Sequence, residues 1–209
     1  MPAHPVRFDK PAHRPKAKTI VHSPALETFI TQSAERNRAL TDPADCVHAL
    51  APLMLDLIGA ADTFLEPQHY ASHPDHYARN LIYAAPDDSL SLYTLVWLPG
   101  QWTPVHDHGS WGVVGIVEGV LEERSYVRLS ADRGSDSGID LVRGGIILLG
   151  HGAVTSFVPN PDHIHITGVP AERPRAVSLH LYGRTMNSFH MYDVAGGTRE
   201  RINVAHNES

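Results

Sequence analysis

The sequence holds one cysteine, Cys46, among its 209 residues. A lone cysteine excludes a disulfide bond within the chain and is typical of a reducing compartment. The chain also lacks an apolar run of the length that a membrane span needs, and its first residues lack the apolar core of a secretory signal. We therefore expect a cytoplasmic protein with no membrane segment.

Positively charged residues are also few, since the chain has 17 Lys and Arg residues but 23 Asp and Glu residues, and its net charge is −6. Such a balance gives no general reason to expect nucleic-acid binding. Histidine, in contrast, is plentiful, with 15 residues. The length is compatible with one all-β unit and a few helices around a single core.

Three stretches of the chain differ in composition. Residues 1–23 are rich in Pro, Lys and Arg and predict a mobile arm. Residues 24–66 have helical periodicity, with N-caps expected at Ser23 and near Asp42, each followed by a proline. We expect residues 24–209 to form one domain, in which the apolar stripe of the second helix packs against a sheet.

Short strands separated by turns begin near residue 76. The breaks contain Gly, Pro, Asn and Asp, and many evenly spaced short strands favour a jelly roll or barrel. The sequence therefore predicts a mainly β fold, with N-terminal helices and a barrel over residues 76–185. The candidate strands are Asn80–Ala84, Leu90–Leu98, Gly112–Val117, Leu121–Leu129, Ile139–Val142, Ile146–Leu149, Thr155–Val158, His163–Val169 and Ala176–Leu181.

Two histidines separated by one residue carry the clearest chemical signal. Because side chains of an extended segment alternate between faces, His106 and His108 project to the same side. Neutral imidazoles side by side are ready ligands for a first-row transition metal, but two of them do not define a site. A third ligand is offered by His163 or His165, which alternate with isoleucines. The pattern by itself does not choose between these two.

A later strand carries three polar side chains on one face. Ser178, His180 and Tyr182 alternate with apolar residues. Three hydrogen-bonding groups in line can settle His180 in one tautomer and orient the Tyr182 hydroxyl. We expect this relay to face the interior of the barrel.

The spacing from Gly100 through His106 and His108 resembles the first motif of the cupin superfamily. In most cupins a glutamate ligand follows the second histidine by four residues, and that position here is Gly112. Within the cupins this departure resembles the cysteine dioxygenase family of thiol dioxygenases, in which three histidines hold iron. Their glutamate position is a cysteine in the animal enzymes and commonly a glycine in bacterial ones.

Four segments, which follow one another in the family's order, carry the resemblance, and it covers roughly residues 76–185. The segment Tyr77–Leu81 resembles the family's Y-x-R-N-L, whose arginine grips the substrate carboxylate, and the H-D-H pair is that of the family. Ile164-His165 resembles the third-ligand dipeptide and so favours His165 over His163. The segment Ser178–Tyr182 resembles the family's S-L-H-L-Y strand, which forms the relay beside the iron. The resemblance implies Fe(II) on His106, His108 and His165, substrate contacts from Arg79 and Tyr77, and a relay of Ser178, His180 and Tyr182.

The reaction that the resemblance implies is the addition of both atoms of O₂ to a small thiol, giving a sulfinate. Three neutral imidazoles would leave Fe(II) its full charge, which favours the thiolate form of a thiol. Arg79 presents a planar fork that suits a carboxylate. In the family, arginine here is typical of cysteine enzymes and glutamine of 3-mercaptopropionate enzymes. We therefore expect L-cysteine, with 3-mercaptopropionate or mercaptosuccinate as alternatives.

Gly112 also puts the thioether crosslink of the animal enzymes out of reach, so Tyr182 is expected to be unmodified. Two other functions compete with a thiol dioxygenase. A metal-binding cupin without redox turnover would explain the histidines but neither Arg79 nor the relay. A cupin dioxygenase that cleaves carbon–carbon bonds would have no need of the relay. The sequence gives neither the oligomeric state nor a role for the tail after about residue 186.

Overall fold

The computed structural model describes residues 23–159, 162–204 and 207–208. The arm predicted over residues 1–23 lies outside the described residues except for Ser23. Two helices open the described chain, α1 (Pro24–Ala39) and α2 (Pro43–Gly59), and two short 3-10 helices follow at Ala61–Thr63 and Pro67–Tyr70. None of the helices in these ranges is long and apolar enough to cross a membrane.

The two helices begin with a proline in the first turn, but only one of the two expected caps forms. The Asp42 carboxylate accepts a hydrogen bond from the backbone N–H of Ala44 at 2.8 Å and so caps α2. The Ser23 side chain makes no such bond to α1. Its hydroxyl lies 3.2 Å from that of Thr63 and ties the start of α1 to the first 3-10 helix instead.

The described strands form two facing sheets. The first has the order β11-β1-β2-β8-β3-β6 and is antiparallel apart from the β1–β11 pair. The second consists of β5-β4-β7 and the hairpin β9–β10, which His106 joins by bridging β7 and β9. The strands are β1 (Ala78–Ala84), β2 (Ser91–Trp97), β3 (Gly112–Glu118), β4 (Val120–Arg128), β5 (Leu141–Gly150), β6 (Val154–Phe157), β7 (Ile164–Gly168), β8 (Ala176–Tyr182), β9 (Ser188–Asp193), β10 (Thr198–Asn203) and β11 (Asn207–Glu208).

The mainly β class with N-terminal helices is confirmed, with two differences in detail. The strands predicted on either side of Arg143-Gly-Gly145 are one strand, β5, because the glycines accommodate a β-bulge opposite Ser125 rather than a turn. A Cβ on Gly144 would collide with the Ser125 hydroxyl. Strands also continue beyond residue 185, since β9 and β10 pair over their full length.

Both faces of β2 and β8, in the middle of the first sheet, are buried, and the two faces carry different chemistry. Leu179 and Leu181 on β8 face outward and pack with Leu50 and Met54 of α2 in one apolar core. The alternate residues of β8 face inward, toward the second sheet. This arrangement explains why β2 and β8 are buried at every position, and it places the polar face of β8 inside the barrel.

Candidate metal centre

A cavity lies between the two sheets. It receives side chains from strands of both sheets and from the loop that carries His106 and His108. Its lining residues are Tyr77, Arg79, Leu95, Trp97, Thr103, His106, His108, Val114, Leu121, Glu123, Leu149, Phe157, His165, Thr167, His180, Tyr182, Met186 and Phe189.

Three buried histidines meet in this cavity. One ring nitrogen from each of His106, His108 and His165 lies within 4.8 Å of the other two. Backbone pairing brings two of them together, because the N–H of His106 donates to the carbonyl of His165 at 3.0 Å and the reverse bond has the same length. The H-D-H loop therefore lies directly against β7.

The charge state of these histidines suits a cation. Burial lowers the pKa of His106, His108 and His165, and their mutual repulsion lowers the pKa of His106 and His108 further, so the rings are neutral. Nδ1 of His106 lies 3.0 Å from the carbonyl of Pro104 and must donate to it, which leaves Nε2 with a free lone pair. Nε2 of His165 and Nδ1 of His108 are buried without a hydrogen-bond partner among the described residues. A bound metal ion would satisfy such atoms, so the residues present fit one.

Glu123 is a buried carboxylate beside His165 that the sequence analysis did not single out. Its Oε2 lies 3.0 Å from Nδ1 of His165. Burial disfavours ionisation of Glu123, but the His163 and His165 imidazoles hold the pKa of its carboxyl well below its ordinary value. Neutral His165 therefore donates Nδ1–H to a charged acceptor and keeps Nε2 for the cavity.

His163, the other candidate for the third ligand, lies farther out. Its side chain is 26% exposed, whereas that of His165 is 7% exposed. Its Nε2 is 3.6 Å from Oε1 of Glu123, and the ring stacks on Phe157. His163 groups with Glu123 and His165 rather than with the H-D-H pair.

The three polar residues of β8 form a continuous series of hydrogen bonds. Ser178 Oγ lies 2.8 Å from Nε2 of His180, and Nδ1 of His180 lies 3.2 Å from the Tyr182 hydroxyl. Burial, followed by the positive charge of Arg79, lowers the pKa of His180 to about 3, so this imidazole is neutral. Burial raises the pKa of Tyr182, so its hydroxyl keeps its proton.

Trp97 determines which atom donates and which accepts in each of these hydrogen bonds. Its indole N–H donates to Ser178 Oγ at 3.0 Å. Within the described residues the Ser178 hydroxyl then has no acceptor other than Nε2 of His180. A neutral imidazole that accepts at Nε2 carries its proton on Nδ1, so we assign Nδ1–H as the donor to Tyr182. The Tyr182 proton stays available to the cavity.

Arg79 reaches the same cavity from β1. Its Nη2 donates to the carbonyl of Met186 at 2.8 Å, and its guanidinium carbon lies 4.9 Å from the centre of the Tyr93 ring. Nη1 is buried without a partner among the described residues, and no described carboxylate forms an ion pair with Arg79. Tyr77 stacks on Trp97 nearby, at 4.6 Å between ring centres. Arg79 thus offers an unpaired cationic donor in the cavity.

The tail beyond residue 186 holds the H-D-H loop in place. The Asp107 carboxylate accepts from the Tyr192 hydroxyl at 2.8 Å and contacts Nδ1 of His190 at 3.1 Å. Just before the tail, Arg184 also donates to the carbonyl of His108, at 2.9 Å. Asp107 therefore anchors the loop, while the histidines on either side of it face the cavity.

The model of the family described as cysteine dioxygenase type I matches residues 61–195, more than half of the chain. The chain belongs to the cysteine dioxygenase type I family. The match includes every residue predicted for the site, as well as β9, which holds Asp107.

Solved structures with a related fold show low identity to this chain. A protein with a double-stranded beta-helix domain from Klebsiella pneumoniae is 11% identical, over 62% of this chain and 96% of its own, with a TM-score of 0.45. A cupin-like protein from Thermotoga maritima is 15% identical, over 67% of this chain and 89% of its own, with a TM-score of 0.38. An RmlC-like cupin from Ralstonia eutropha is 14% identical, over 64% and 71%, with a TM-score of 0.42. The predicted fold of this cysteine dioxygenase family member, mainly β with N-terminal helices, is the one that its own strands and helices form.

Among the cavity residues that the sequence analysis did not single out are Glu123, Trp97 and Phe157, and only Glu123 left a signal. Glu123 follows Leu121 by two residues on β4, and both are buried, so alternation places the carboxylate on the inner face. Trp97 ends β2 and Phe157 ends β6. Nothing local indicates that their rings reach Ser178 and His108.

Proposed function

We propose that this protein is an iron-dependent thiol dioxygenase whose preferred substrate is a small thiol carboxylic acid, in the first place L-cysteine. The observation that carries the proposal is a single cavity containing three neutral imidazoles, an unpaired guanidinium nitrogen and a phenol with an available proton. Membership of the cysteine dioxygenase type I family supports the reaction type. We propose His106, His108 and His165 as the ligands of Fe(II).

Bound Fe(II) would favour the thiolate over the thiol and offer open positions beside it, because three neutral ligands leave its charge uncompensated. The overall conversion adds O₂ to the thiol and gives the sulfinic acid, so the atoms balance without a further reductant. Arg79 binds the substrate carboxylate through Nη1 and fixes which end of the molecule faces the histidines. Tyr77, stacked on Trp97, forms a wall of the same pocket.

The relay supplies a directed hydrogen bond. Tyr182 donates its proton toward negative charge that develops on the reacting oxygen or sulfur atoms, while His180 and Ser178 hold the hydroxyl in position. Leu95, Val114 and other apolar lining residues exclude water, which strengthens this interaction. The lone cysteine suits a reducing compartment, and we propose the cytoplasm as the place of the reaction.

Oxygen consumption by Fe(II)-loaded protein, with sulfinate measured in the same samples, tests the proposal. The panel is L-cysteine, 3-mercaptopropionate, mercaptosuccinate and cysteamine, and Zn(II)-loaded protein is the control. We expect turnover of the carboxylates, fastest with L-cysteine, and little with cysteamine. Iron-loaded protein that oxidises none of these thiols would identify a metal-binding cupin without this activity. Faster turnover of 3-mercaptopropionate would move the substrate assignment to the alternative.

A further inference from the structure

The three histidines of the candidate metal centre are held in different ways. The ring of His106 donates to a backbone carbonyl, and the ring of His165 donates to Glu123. No described residue forms a hydrogen bond with the ring of His108. Metal-binding histidines usually have such a partner on the nitrogen that faces away from the metal, and it orients the ring. Something other than a hydrogen bond must therefore fix His108.

Phe157 lies face to face with His108. The two ring centres are 4.2 Å apart, with an angle of 23° between the ring planes. Phe157 also stacks on His163, with 4.7 Å between the ring centres and 8° between the ring planes. The phenyl ring is buried at the end of β6, so it is itself held by packing. Its flat face restricts rotation of the His108 imidazole in the absence of a hydrogen bond.

Gly112 makes room for this phenyl ring. On β3 it lies directly opposite Phe157 on one side and Tyr182 on the other, so a side chain at this position would point into the cavity with theirs. A Cβ built on Gly112 would lie 2.9 Å from both Cε atoms of Phe157 and closer still to Cζ. The ring therefore occupies the space that any side chain at position 112 would need.

We infer that Phe157 is the positioning residue for His108. Its ring lies over Gly112 and so also keeps any protein side chain from approaching the three histidines from the side of Gly112. Phe157 acts through packing and touches no reacting atom. This inference rests on the metal-binding half of the proposed function and is independent of which thiol is oxidised.

The first test measures Fe(II) affinity, under anaerobic conditions and against a chromophoric chelator, for wild type, Phe157→Leu and Phe189→Leu. Leucine keeps most of the apolar volume but has no flat face. Phe189 is the matched control, because its ring lies 5.1 Å from that of His106, which also has a hydrogen bond to Pro104. We expect a roughly tenfold or greater loss of affinity in Phe157→Leu, the scale at which second-shell partners act, and a smaller loss in Phe189→Leu.

Equal losses in the two leucine variants would overturn the inference while leaving the proposed function intact. Absence of Fe(II) binding by the wild type would overturn both. Melting temperatures of the metal-free variants show whether a loss of affinity only follows a loss of folding. A loss in Phe157→Leu that vanishes when affinity is measured well below its melting temperature would count against positioning.

The second test is a double-mutant cycle at Gly112 and Phe157. Gly112→Ala should lower the melting temperature of the wild type by several degrees, because the new methyl group overlaps the ring. In a Phe157→Ala background the same change should cost much less, since the space is free. Additive changes would show that the ring does not dictate glycine at this position.

Discussion

At the scale of residues, the candidate site depends on pairing between buried polar groups. Glu123 orients His165, Trp97 directs the Ser178–His180 chain, and Asp107 anchors the loop between two candidate ligands. Arg79 instead leaves a donor open, since its Nη1 is buried without a partner among the described residues. A buried guanidinium donor without an acceptor is costly, so it indicates a place for an external carboxylate.

Replacement of Arg79 with alanine tests that role. We expect the KM for L-cysteine to rise about ten- to a hundredfold, because loss of a charge-assisted hydrogen bond costs roughly 1.5–3 kcal/mol. Fe(II) content should stay near that of the wild type, since Arg79 contacts none of the three histidines in the described structure. Cysteamine, which has no carboxylate, is the internal control. If its oxidation suffers as much as that of cysteine, Arg79 does not bind the carboxylate.

Glu123→Gln should lower the affinity for Fe(II) about ten- to a hundredfold. The amide keeps the shape of the side chain but removes the charge that makes His165 a better ligand. Glu118→Gln is the matched control, because Glu118 is exposed and pairs with Arg175 at the surface. Competition with a chelator measures both variants. Equal affinities for the two would assign Glu123 a packing role.

Tyr182→Phe should leave iron content and melting temperature nearly unchanged but reduce turnover about 10²- to 10³-fold, the usual cost of losing one donor to developing charge. The ring and its packing remain, and only the hydroxyl beside His180 is lost. Oxygen uptake and sulfinate yield are measured together, since oxygen can be consumed without product. Full turnover with full coupling would make Tyr182 a packing residue.

At the scale of elements, β3 and β8 separate the helices from the cavity. Each strand places alternate residues against α2 and toward the site, so a change on the outer face can alter stability without touching the inner face. Gly115 on β3 shows how closely α2 approaches. A Cβ there would lie 2.6 Å from Cγ2 of Ile58 and 2.9 Å from Cγ of Met54.

Gly115→Ala is therefore expected to destabilise the protein by about 1–3 kcal/mol through overpacking. That change corresponds to a melting temperature lower by several degrees for a chain of this size. Gly150→Ala is the matched control, because a Cβ on that strand glycine would meet no atom of the described residues within 4 Å. Fe(II) affinity should not change in either variant. A normal melting temperature for Gly115→Ala would show that α2 moves away easily.

At the scale of the whole molecule, folding buries several histidines in neutral form. Burial lowers the pKa of His69, and burial with the nearby Arg79 lowers the pKa of His180 to about 3. In the unfolded chain both would titrate near 6.5. Below pH 6.5 the unfolded state therefore binds protons that the folded state does not, and stability falls as the pH falls.

We expect the free energy of unfolding of metal-free protein to decrease between pH 6.5 and 5, by up to about 1.4 kcal/mol per pH unit for each histidine that stays neutral. Urea denaturation at several pH values measures the slope. His180→Gln should reduce it, whereas His48→Gln, at an exposed position of α2, should leave it unchanged. A slope that His180→Gln does not alter would mean that His180 is protonated in the folded state.

The sequence by itself determined what local periodicity controls. Alternation placed Ser178, His180 and Tyr182 on one face, and turn residues with short apolar runs predicted the mainly β class. It also placed His106 and His108 on one side of their segment. The direction of a side chain depends on its own strand, so these features are readable without the fold.

Only the tertiary structure decided which strands become neighbours. Register across sheets brings His165 rather than His163 to the H-D-H pair, seats Phe157 over Gly112, and places Glu123 behind a candidate ligand. It also makes the tail part of the site, through Tyr192 and Asp107. These contacts join residues far apart in the chain, and their pairing depends on the packing of the whole barrel, which no local pattern encodes.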